Sequence, residues 1–595
     1  MAGKFTTLVD MIDNSLKSFP QNKAFGTKVN GSYQWLTYQE LAEQIHAARG
    51  GLAALGVRSG ERVAIIANNR VEWAVFCYAT YQLGAAFAPM YESQTADDWS
   101  HILKDAQPTV LIVSKPELYK KARPLVDQIA SIKAVVTLDT QEERAIGYSQ
   151  LLEKGKAHPA PAVQVSPSAL AGLIYTSGTT GKPKGVMLSH ANIISNINAI
   201  HEVFPFKPED VSLSFLPWAH SFGQTVELHG MISCGASLGL AENVNTIMDN
   251  LGEVKPTLLF SVPRIFNKIY DGLNKKMNAE GGLKKTLFFA GLKNSAKVRE
   301  AEAAGHGAGL AGMLNPLYDK LVFSKVRERL GGRLKFAFSG GAALSKEVAE
   351  FIDRINILVY EGYGLSETSP IMCANYPGAR RIGSVGKPVP QVKVVLDYSV
   401  GNEEGVGEII NYGPNNMMGY YNMADETAKV MTPDGGFRTG DLGRFDSDGF
   451  LYIVGRVKEQ YRLENGKYVA PAPLEEKLQL SPFILQAMIY GDNRPFNIAV
   501  LVPDFSALLP WCESNGIATA NREEVVKHPK VIELLKQQVE QYASDWKSYE
   551  RPRNLTLLAE EWSIENDMLT PKLSLKRRNV MKKFGQEIEQ HFSKG

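Results

Sequence analysis

Residues 175–185 read Tyr175-Thr176-Ser177-Gly178-Thr179-Thr180-Gly181-Lys182-Pro183-Lys184-Gly185, directly after the apolar run Leu170-Ala171-Gly172-Leu173-Ile174. An apolar run that ends in glycines, small hydroxyl side chains and lysines is typical of a strand leading into a phosphate-binding loop, because such a loop offers backbone N–H groups and local positive charge. The Walker spacing is not met, since Pro183 stands five residues after Gly178 and Lys182 is not followed by Ser or Thr. The sequence therefore predicts a nucleotide-binding loop of another kind.

The composition is typical of a globular protein with more than one domain. A chain of 595 residues exceeds what one hydrophobic core usually supports. Its 65 Lys and Arg nearly balance its 63 Asp and Glu, so no overall field favours nucleic acid as a partner. The four cysteines lie far apart without a CxxC pair, as expected of a reduced, cytoplasmic protein. The start of the chain lacks an apolar core, so we expect no secretory signal.

Strand and helix patterns alternate in the N-terminal part of the chain. Four short apolar runs are typical of buried strands: residues 63–67, 85–90, 109–113 and 134–138. Residues 71–83 have a helical pattern, and Thr37 followed by Glu40 predicts a capping-box start for another helix. Such alternation favours an α/β fold in which helices cover parallel sheets.

The pattern changes twice towards the C-terminus. From residue 391 the pieces are shorter and more β-like, which indicates a small β subdomain. After residue 457 the chain reads as mixed α+β. We therefore expect a large N-terminal domain over residues 1–457, with layered α/β subdomains plus the small β subdomain, and a smaller α+β C-terminal domain over residues 458–595.

Residues 273–331 carry little regular pattern and many cations, with Gly305–Gly312 as an expected flexible break. The cations include Lys275, Lys276, Lys284, Lys285, Lys293, Lys297, Arg299, Lys325, Arg327 and Arg329, interleaved with Leu283, Leu287, Phe288 and Phe289. A basic amphipathic segment can rest on an anionic membrane surface, although a charged run is more often a solvated face. Since no apolar run reaches eighteen residues, any membrane contact is expected to be peripheral, on the inner membrane face.

Further motifs stand downstream of the loop, in a fixed order. They are His220 in the aromatic turn Leu213–Gly223, Tyr360-Glu361-Gly362-Tyr363-Gly364-Leu365-Ser366-Glu367-Thr368, Tyr420-Tyr421-Asn422, Arg438-Thr439-Gly440-Asp441-Leu442-Gly443 and Gly455-Arg456-Val457-Lys458-Glu459. Together with the loop they resemble the adenylate-forming superfamily over nearly the whole chain. Within it, Leu463-Glu464-Asn465-Gly466-Lys467-Tyr468-Val469-Ala470-Pro471 and the long insertion before Phe338 resemble the long-chain fatty acid–CoA ligases.

The resemblance implies a two-step reaction that uses ATP, Mg2+ and CoA. A fatty acid carboxylate attacks the α-phosphate of ATP and releases pyrophosphate, and a thiol then displaces AMP from the acyl adenylate. Two anions meet in the first step, so positive charge and N–H donors are needed to stabilise the transition state. The residues that match the family's β/γ-phosphate loop are Thr176, Ser177, Gly178, Thr179, Thr180, Gly181 and Lys184. Glu367 matches the magnesium ligand, and Thr179 is placed with it.

The resemblance also assigns residues to the nucleoside and to the junction with the acyl site. Those that resemble the adenine shelf are Gly341, Ala342, Gly362, Tyr363 and Gly364, and Thr368 is grouped with the nucleotide-binding residues. Asp441 matches the carboxylate that accepts hydrogen bonds from the ribose hydroxyls, and Arg456 matches an arginine that reaches the ribose or phosphate. His220 resembles the residue between the acyl and phosphate sites.

Lys458 occupies the position at which this superfamily hinges, so that the C-terminal domain can present different faces to the two half-reactions.

One position departs from the family pattern. In the family, the adenylation lysine stands three and four residues before the two members of a basic pair. Here the pair is Arg577 and Arg578, and the position of the lysine is occupied by Ser574. The flanking Lys572 and Lys576 could reach the α-phosphate on their long side chains, and Lys572 is the first candidate because it adjoins Pro571 ahead of the basic cluster.

Three functions stay open from the sequence. The first is an ATP-dependent long-chain acyl-CoA synthetase. The second is an acyl-AMP or acyl–carrier-protein ligase, which would deliver the acyl group to a protein-bound phosphopantetheine. The third is a catalytically weak nucleotide-binding regulator, suggested by Ser574. Amino-acid activation is disfavoured, because the Leu213–Gly223 turn lacks an Asp to hold a substrate ammonium group.

Overall fold

The structure is a computed structural model that describes residues 5–176, 182–400, 403–570 and 574–592. Its strands are β1 Lys23–Val29, β2 Ser32–Thr37, β3 Arg62–Ile66, β4 Ala86–Met90, β5 Val110–Val113, β6 Ala134–Thr137, β7 Ile146–Gly147, β8 Leu170–Thr176, β9 Lys184–Ser189, β10 Val211–Ser214, β11 Ser237–Leu240, β12 Leu258–Ser261, β13 Phe336–Ser339, β14 Val359–Gly364, β15 Ile371–Ala374, β16 Lys387–Pro388, β17 Lys393–Asp397, β18 Gly407–Tyr412, β19 Gly419–Tyr420, β20 Phe437–Phe445, β21 Leu451–Arg456, β22 Tyr461–Arg462, β23 Tyr468–Val469, β24 Ile484–Tyr490, β25 Asn497–Pro503 and β26 Pro552–Leu557.

The α-helices are α1 Leu8–Ser18, α2 Tyr38–Ala54, α3 Val71–Gln82, α4 Ala96–Ala106, α5 Pro116–Val126, α6 Tyr148–Ala157, α7 His190–Val203, α8 Gly230–Ser233, α9 Ile247–Val254, α10 Pro263–Glu280, α11 Gly282–Ala303, α12 Gly309–Tyr318, α13 Ser324–Arg329, α14 Lys346–Arg354, α15 Ala424–Val430, α16 Pro471–Leu478, α17 Phe505–Ser514, α18 Arg522–Val525, α19 Pro529–Tyr542 and α20 Arg577–Glu589. Two π-helical segments, Phe222–His229 and Asp319–Phe323, and the 3-10 turn Ser366–Thr368 complete the set. No helix in the described part of the chain is both long and apolar enough to cross a membrane.

The chain divides into two compact units. Among the described residues, the first contains residues 5–176, Lys182–Val394 and Asn411–Phe437, and the second contains residues 395–400, 403–410, 438–570 and 574–592. The second unit therefore takes in most of the β17–β18 and β20–β21 strands as well as the C-terminal residues.

Two large sheets form the first unit. One has the order β16-β15-β14-β13-β12-β10-β11-β1-β2, and the other has the order β19-β9-β8-β4-β3-β5-β6-β7. Their central strands pair in parallel, for example β12 with β13, β13 with β14 and β3 with β5. Parallel strands are covered on both faces, which explains why β3, β4 and β5 read as continuous apolar runs rather than alternating ones. The predicted layered α/β fold is confirmed.

The local signals in the sequence correspond to observed element boundaries. Thr37 accepts a hydrogen bond from the Glu40 amide while Glu40 accepts one from the Thr37 amide at 2.7 Å, so the predicted capping box begins α2. The four predicted strands are β3 to β6, and the predicted helix at 71–83 is α3. The largest core of the unit includes Trp73, Phe87 and Trp218, which pack edge to face.

The second unit contains three smaller sheets. A four-stranded sheet has the order β17-β18-β20-β21, with β20 and β21 antiparallel. A three-stranded sheet, β24-β25-β26, packs apolar side chains against α16, α17 and α19. A two-stranded ribbon pairs β22 with β23. This mixture of short sheets and helices agrees with the α+β character predicted for the end of the chain.

Residues 273–331 are more regular than the sequence indicated. They continue α10 and contain α11, α12, the second π-helical segment and α13. The predicted break is shorter than Gly305–Gly312, because α12 already begins at Gly309. Phe288, which we expected on the cationic surface, is fully buried against Phe323 and Phe351. The periodicity was obscured because several apolar side chains of this segment face outwards, whereas Phe288 faces inwards.

Candidate active site

The two ends of the predicted phosphate loop are paired strands of the first unit. Thr176 ends β8 and Lys184 begins β9, and these two residues are partners in the antiparallel register. The pairing holds the loop stems side by side, as a strand-to-loop arrangement requires. The predicted phosphate ligands Ser177, Gly178, Thr179, Thr180 and Gly181 lie outside the described residues, as does Lys572.

Helix α4 contacts both stems of this loop. The Tyr175 hydroxyl donates to Asp105 Oδ2 at 2.7 Å, and His101 Nε2 donates to the Pro183 carbonyl oxygen at 2.9 Å. Asp105 also accepts a hydrogen bond from Asn422 Nδ2 at 3.1 Å. His101 and Asp105 were not predicted as site residues, although their i, i+4 spacing places them on one helix face. The two residues fix the loop stems to a rigid element.

Lys184 is held by an acidic residue from α15. Its ammonium group forms an ion pair with Glu426 and lies 5.0 Å from the centre of the Tyr420 ring. Glu426 pairs with Lys429 as well. Hydrogen bonds from the two lysines lower the pKa of the Glu426 carboxyl to about 2. Glu426 therefore stays ionised, and it orients the cation that begins β9.

Glu367 lies in the 3-10 turn and is almost completely buried. Its Oε1 accepts a hydrogen bond from the Tyr420 hydroxyl at 2.9 Å, and its main-chain oxygen accepts one from the Met417 amide at 2.8 Å. Burial, together with the Glu367 carboxylate, raises the pKa of Tyr420 well above its usual value. Tyr420 thus contacts both Glu367 and Lys184, which are the predicted metal ligand and a predicted phosphate ligand.

Thr368 stabilises the turn that contains Glu367. It is fully buried, and its Oγ1 donates to the Pro370 carbonyl at 2.6 Å and accepts from the Leu365 amide at 2.9 Å. These bonds close the turn that presents Glu367.

The aromatic turn of His220 lies against the Glu367 turn. Ser221 Oγ and Ser366 Oγ are 3.1 Å apart although the two residues are far apart in sequence. Asn69 fixes the other side of the aromatic turn, because its Oδ1 accepts from the Trp218 amide at 2.8 Å and its Nδ2 donates to the Leu216 carbonyl at 2.7 Å. The structure therefore brings the predicted His220 close to the Glu367 segment.

The turn continues into a π-helix that contains a buried acid, Glu227. Glu227 accepts hydrogen bonds from Ser212 Oγ at 2.6 Å and Ser214 Oγ at 2.7 Å. Burial raises the pKa of the Glu227 carboxyl to about 8, although the two serine hydroxyls act in the opposite direction. A π-helix is rare and is frequently found at functional sites. No local sequence pattern indicated it, because its register depends on how Glu227 meets β10.

The predicted adenine shelf comes from two neighbouring strands. Gly341 and Ala342 follow β13, Gly362 and Gly364 lie at the end of β14, and the two strands are parallel partners. Gly341 has φ +81, a conformation that favours glycine. A Cβ on Gly364 would lie 1.7 Å from the Pro370 carbonyl oxygen, so only glycine fits there. The carboxyl ends of adjacent parallel strands are where α/β folds bind ligands.

The predicted ribose residues form a pair in the second unit. Asp441 on β20 is the cross-strand partner of Arg456 on β21, and Arg456 Nε lies 3.0 Å from Asp441 Oδ1. The Asp441 side chain is 6% exposed and the Arg456 side chain 50% exposed, so the acid is buried while the arginine is half exposed. Thr439 Oγ1 accepts from the Asp441 amide at 3.0 Å and orients the strand.

Lys458 follows this pair in an exposed turn. The Val457 amide donates to the Gly440 carbonyl at 2.8 Å, which ties the start of the turn to the strand of Asp441. Lys458 itself is exposed. Lys458 lies two residues after Arg456, the last residue of β21, so the backbone there is outside a sheet.

The C-terminal loop is a narrow hairpin at its two described ends. The Thr570 amide donates to the Ser574 carbonyl at 2.9 Å, and the Ser574 amide donates to Thr570 Oγ1 at 3.2 Å. Lys576 forms an ion pair with Asp567. Arg577, the first residue of the basic pair, bonds Glu475 Oε1 at 2.6 Å. Ser574 thus helps close the hairpin through its main chain, while Lys576 is paired within the loop.

Comparisons with known proteins show the family to which the chain belongs. The family model described as AMP-binding enzyme matches residues 12–421, and the model described as AMP-binding enzyme C-terminal domain matches residues 458–595. Among solved structures, the adenylation domain of a carboxylate reductase from Mycobacterium chelonae superposes with a TM-score of 0.78, at 23% identity over 99% of this chain and 91% of that one. The corresponding domain from Segniliparus rugosus, in complex with AMP and a co-purified carboxylic acid, gives 0.77 at 23% identity over 99% and 94%. The protein is an AMP-binding enzyme.

Comparison with curated relatives shows to which group of AMP-binding enzymes the chain belongs. The chain is 31% identical to long chain acyl-CoA synthetase 7, peroxisomal, of Arabidopsis thaliana over 99% of this chain and 86% of that protein. It is 31% identical to the long-chain-fatty-acid–CoA ligase FadD15 of Mycobacterium bovis over 100% and 98%, and 29% identical to long-chain-fatty-acid–CoA ligase 1 of Homo sapiens over 99% and 87%. Within the AMP-binding enzymes, the chain belongs to the long-chain acyl-CoA synthetase family.

Proposed function

We propose that this protein is a long-chain fatty acid–CoA ligase that forms AMP. In the first step a carboxylate oxygen of the fatty acid bonds to the α-phosphorus of ATP, and the bond to pyrophosphate breaks. In the second step the sulfur of CoA bonds to the acyl carbon, AMP leaves with the bonding electron pair, and the thiol proton is released. The observation that carries the proposal is the joint placement of Lys184, Tyr420 and Glu367, together with full-length similarity to enzymes of that name.

The first unit supplies the charge that phosphoryl transfer needs. Lys184 stands at a loop stem, where its ion pair with Glu426 orients it, and Thr176 is its partner in the strand pair. We assign Ser177, Gly178, Thr179, Thr180 and Gly181 to the β- and γ-phosphates. Positive charge and N–H donors placed in advance lower the barrier because the transition state carries more charge on the transferred group.

Glu367 and Thr179 are the proposed ligands of Mg2+. A buried carboxylate oriented by the Tyr420 hydroxyl fits this ion, because proteins hold magnesium with one or two hard oxygen ligands plus substrate phosphates. When bound, the ion would neutralise negative charge on the phosphates. His220, placed beside the Glu367 turn, is proposed to separate the acyl carboxylate from the phosphates.

The nucleoside is proposed to use the remaining predicted residues. Gly341, Ala342, Gly362 and Gly364 leave backbone accessible, and Tyr363 offers an aromatic face for the base. Asp441 is proposed to accept hydrogen bonds from the ribose hydroxyls, with Arg456 reaching the ribose or phosphate. The Asp441–Arg456 contact supports this role, since the ion pair orients the carboxylate.

Lys458 is the proposed hinge between the domains 1–457 and 458–595, and its exposed turn supports that role. Lys572 is the proposed adenylation lysine. The ion pair of Lys576 with Asp567 favours Lys572 over Lys576, because a paired ammonium group must first give up its carboxylate.

Pyrophosphate release from ATP tests the proposal. We expect release that depends on the fatty acid and grows as the acid is lengthened into the long-chain range. If no fatty acid elicits release, the ligase function fails and the nucleotide-binding regulator is supported instead. CoA and a holo carrier protein offered in parallel, with mass detection of the thioester, distinguish acyl-CoA from acyl–carrier-protein as the product.

We further propose a cytoplasmic location with peripheral contact on the inner membrane face through residues 273–331. The exposed cations of the segment, among them Lys284, Lys320 and Lys325, support this contact. Long-chain fatty acids partition into bilayers because burial of each methylene is favourable, so a surface-bound enzyme would meet its substrate there.

A further inference from the structure

Helix α12 and the π-helical segment after it expose a row of large apolar side chains. The exposed fractions are 71% for Leu310, 80% for Met313, 52% for Leu317 and 46% for Leu321. Their spacing of three, four and four residues places them along one helical face. We call these four residues the apolar row. An exposed apolar row of this length marks a surface that binds something, because water contact with so much hydrocarbon is unfavourable.

The helices behind the row are firmly attached to the first unit. Asn294 Nδ2 of α11 donates to the Ala311 carbonyl of α12 at 2.9 Å. Arg327 forms an ion pair with Asp319 at 2.7 Å and donates to the Ile355 carbonyl at 3.0 Å. Phe288 is buried on the opposite side of α11 from solvent. The apolar row is therefore presented by an anchored helix.

The positive charge around the apolar row indicates what kind of surface the row binds. Residues 273–331 contain eleven Lys and Arg and five Asp and Glu, a net charge of +6 in a chain whose total is +2. Arg327 and Arg299 are engaged towards the interior, with Asp319 and Asp353, whereas Lys320 and Lys325 are exposed next to the row. An apolar row bordered by exposed lysines matches the interface of an anionic bilayer, where hydrocarbon lies beneath negative headgroups.

We propose that α12 and the following π-helical segment are the element by which this protein docks on anionic membranes. Leu310, Met313, Leu317 and Leu321 enter the boundary between headgroups and acyl chains, and Lys320 and Lys325 contact the anionic headgroups. The proposal rests on the membrane contact proposed above and specifies its residues and lipid charge.

Flotation with vesicles tests the docking element. The full-length protein is expected to float with phosphatidylglycerol-containing vesicles and only weakly with pure phosphatidylcholine. Leu310→Ser/Met313→Ser/Leu317→Ser should reduce the partition coefficient by more than about tenfold. Lys320→Gln and Lys325→Gln should each reduce it by about fivefold on the anionic vesicles and leave the phosphatidylcholine value unchanged. Val244→Ser/Met248→Ser, at two exposed apolar positions elsewhere, is the matched control and should float like the wild type.

Equal flotation of the triple variant and the wild type would overturn the proposal, as would a wild type that binds no anionic vesicle. Light scattering without lipid tests whether the apolar row instead binds a second copy of the chain. A wild-type dimer that becomes a monomer in the triple variant would show that it does, and would overturn the lipid assignment. Acyl-CoA formation from a long-chain acid, kept dissolved in detergent without vesicles, is measured in parallel. Its absence in the wild type would contradict the ligase function but leave the flotation result standing, and its retention in the triple variant shows that the variant is folded.

Discussion

Asp441 and Arg456 are cross-strand partners on β20 and β21, with Arg456 Nε 3.0 Å from Asp441 Oδ1. The acid is almost buried and the arginine half exposed. One antiparallel pairing thus places two residues from separate motifs in contact, with no loop rearrangement needed. A nucleoside that binds here would meet a carboxylate that Arg456 already orients.

Asp441→Asn should raise the KM for ATP by about tenfold or more, because a charge-assisted hydrogen bond to the ribose contributes about 1.5–3 kcal/mol. The KM for the fatty acid should change little. Asp448→Asn, in the exposed loop of the same hairpin, is the control and should behave as the wild type. An unchanged KM for ATP in Asp441→Asn would contradict the ribose assignment.

Glu426→Gln should weaken ATP and pyrophosphate binding by about threefold to tenfold, because Lys184 loses the carboxylate that orients it. Lys184→Gln should have a larger effect in the same direction. Lys429→Gln removes the other lysine on Glu426 and is expected to leave both constants near the wild-type values. Tighter ATP binding in Glu426→Gln would instead mean that Glu426 competes with the phosphates for Lys184.

Tyr175→Phe and Asp105→Ala should each slow the adenylation half-reaction, measured as ATP–pyrophosphate exchange, because both remove the bond between α4 and the first loop stem. The double variant should be no slower than the slower single variant. A coupling energy of about 0.5–1.5 kcal/mol is expected in the double-mutant cycle. Strictly additive losses would show that the two residues act independently.

Lys572→Ala should abolish most of the adenylation half-reaction, while Lys576→Ala should retain it, because Lys576 already pairs with Asp567. Transfer of a preformed acyl adenylate to CoA should survive in both variants, which separates a chemical loss from misfolding. Full adenylation activity in both variants would exclude both lysines.

The pKa of about 8 for Glu227 predicts a pH-dependent stability. The folded state holds the proton of this carboxyl more tightly than the unfolded state, whose value is near 4.5, so the free energy of unfolding should fall as the pH rises from about 5 to 8. The slope contributed by this group is about 1 kcal/mol per pH unit. Glu227→Gln keeps an acceptor and a donor for Ser212 and Ser214, and denaturant titrations should show that its stability falls less over this range. Parallel pH profiles for the two proteins would refute the assignment.

Several features of the fold followed from local sequence alone. The capping box of Thr37 and Glu40, the strands β3 to β6 and the strand that ends at Thr176 were predicted because caps and apolar runs act within a few residues. The order of motifs from the phosphate loop to Lys458 also identified the family, which the comparisons confirmed.

The tertiary structure decided what those residues contact. Asp105 and Glu426 had no local signal, because their partners Tyr175 and Lys184 are 70 and 242 positions away in the chain. The sequence also did not determine which apolar side chains are buried. Phe288 faces the core and Met313 faces solvent, although both are apolar residues in one cationic segment. The sequence by itself determined the elements and the types of chemical group, since these depend on short-range propensity. Which groups meet, and which apolar side chains remain exposed, depends on sheet order and helix packing, and these are fixed only when distant segments pack together.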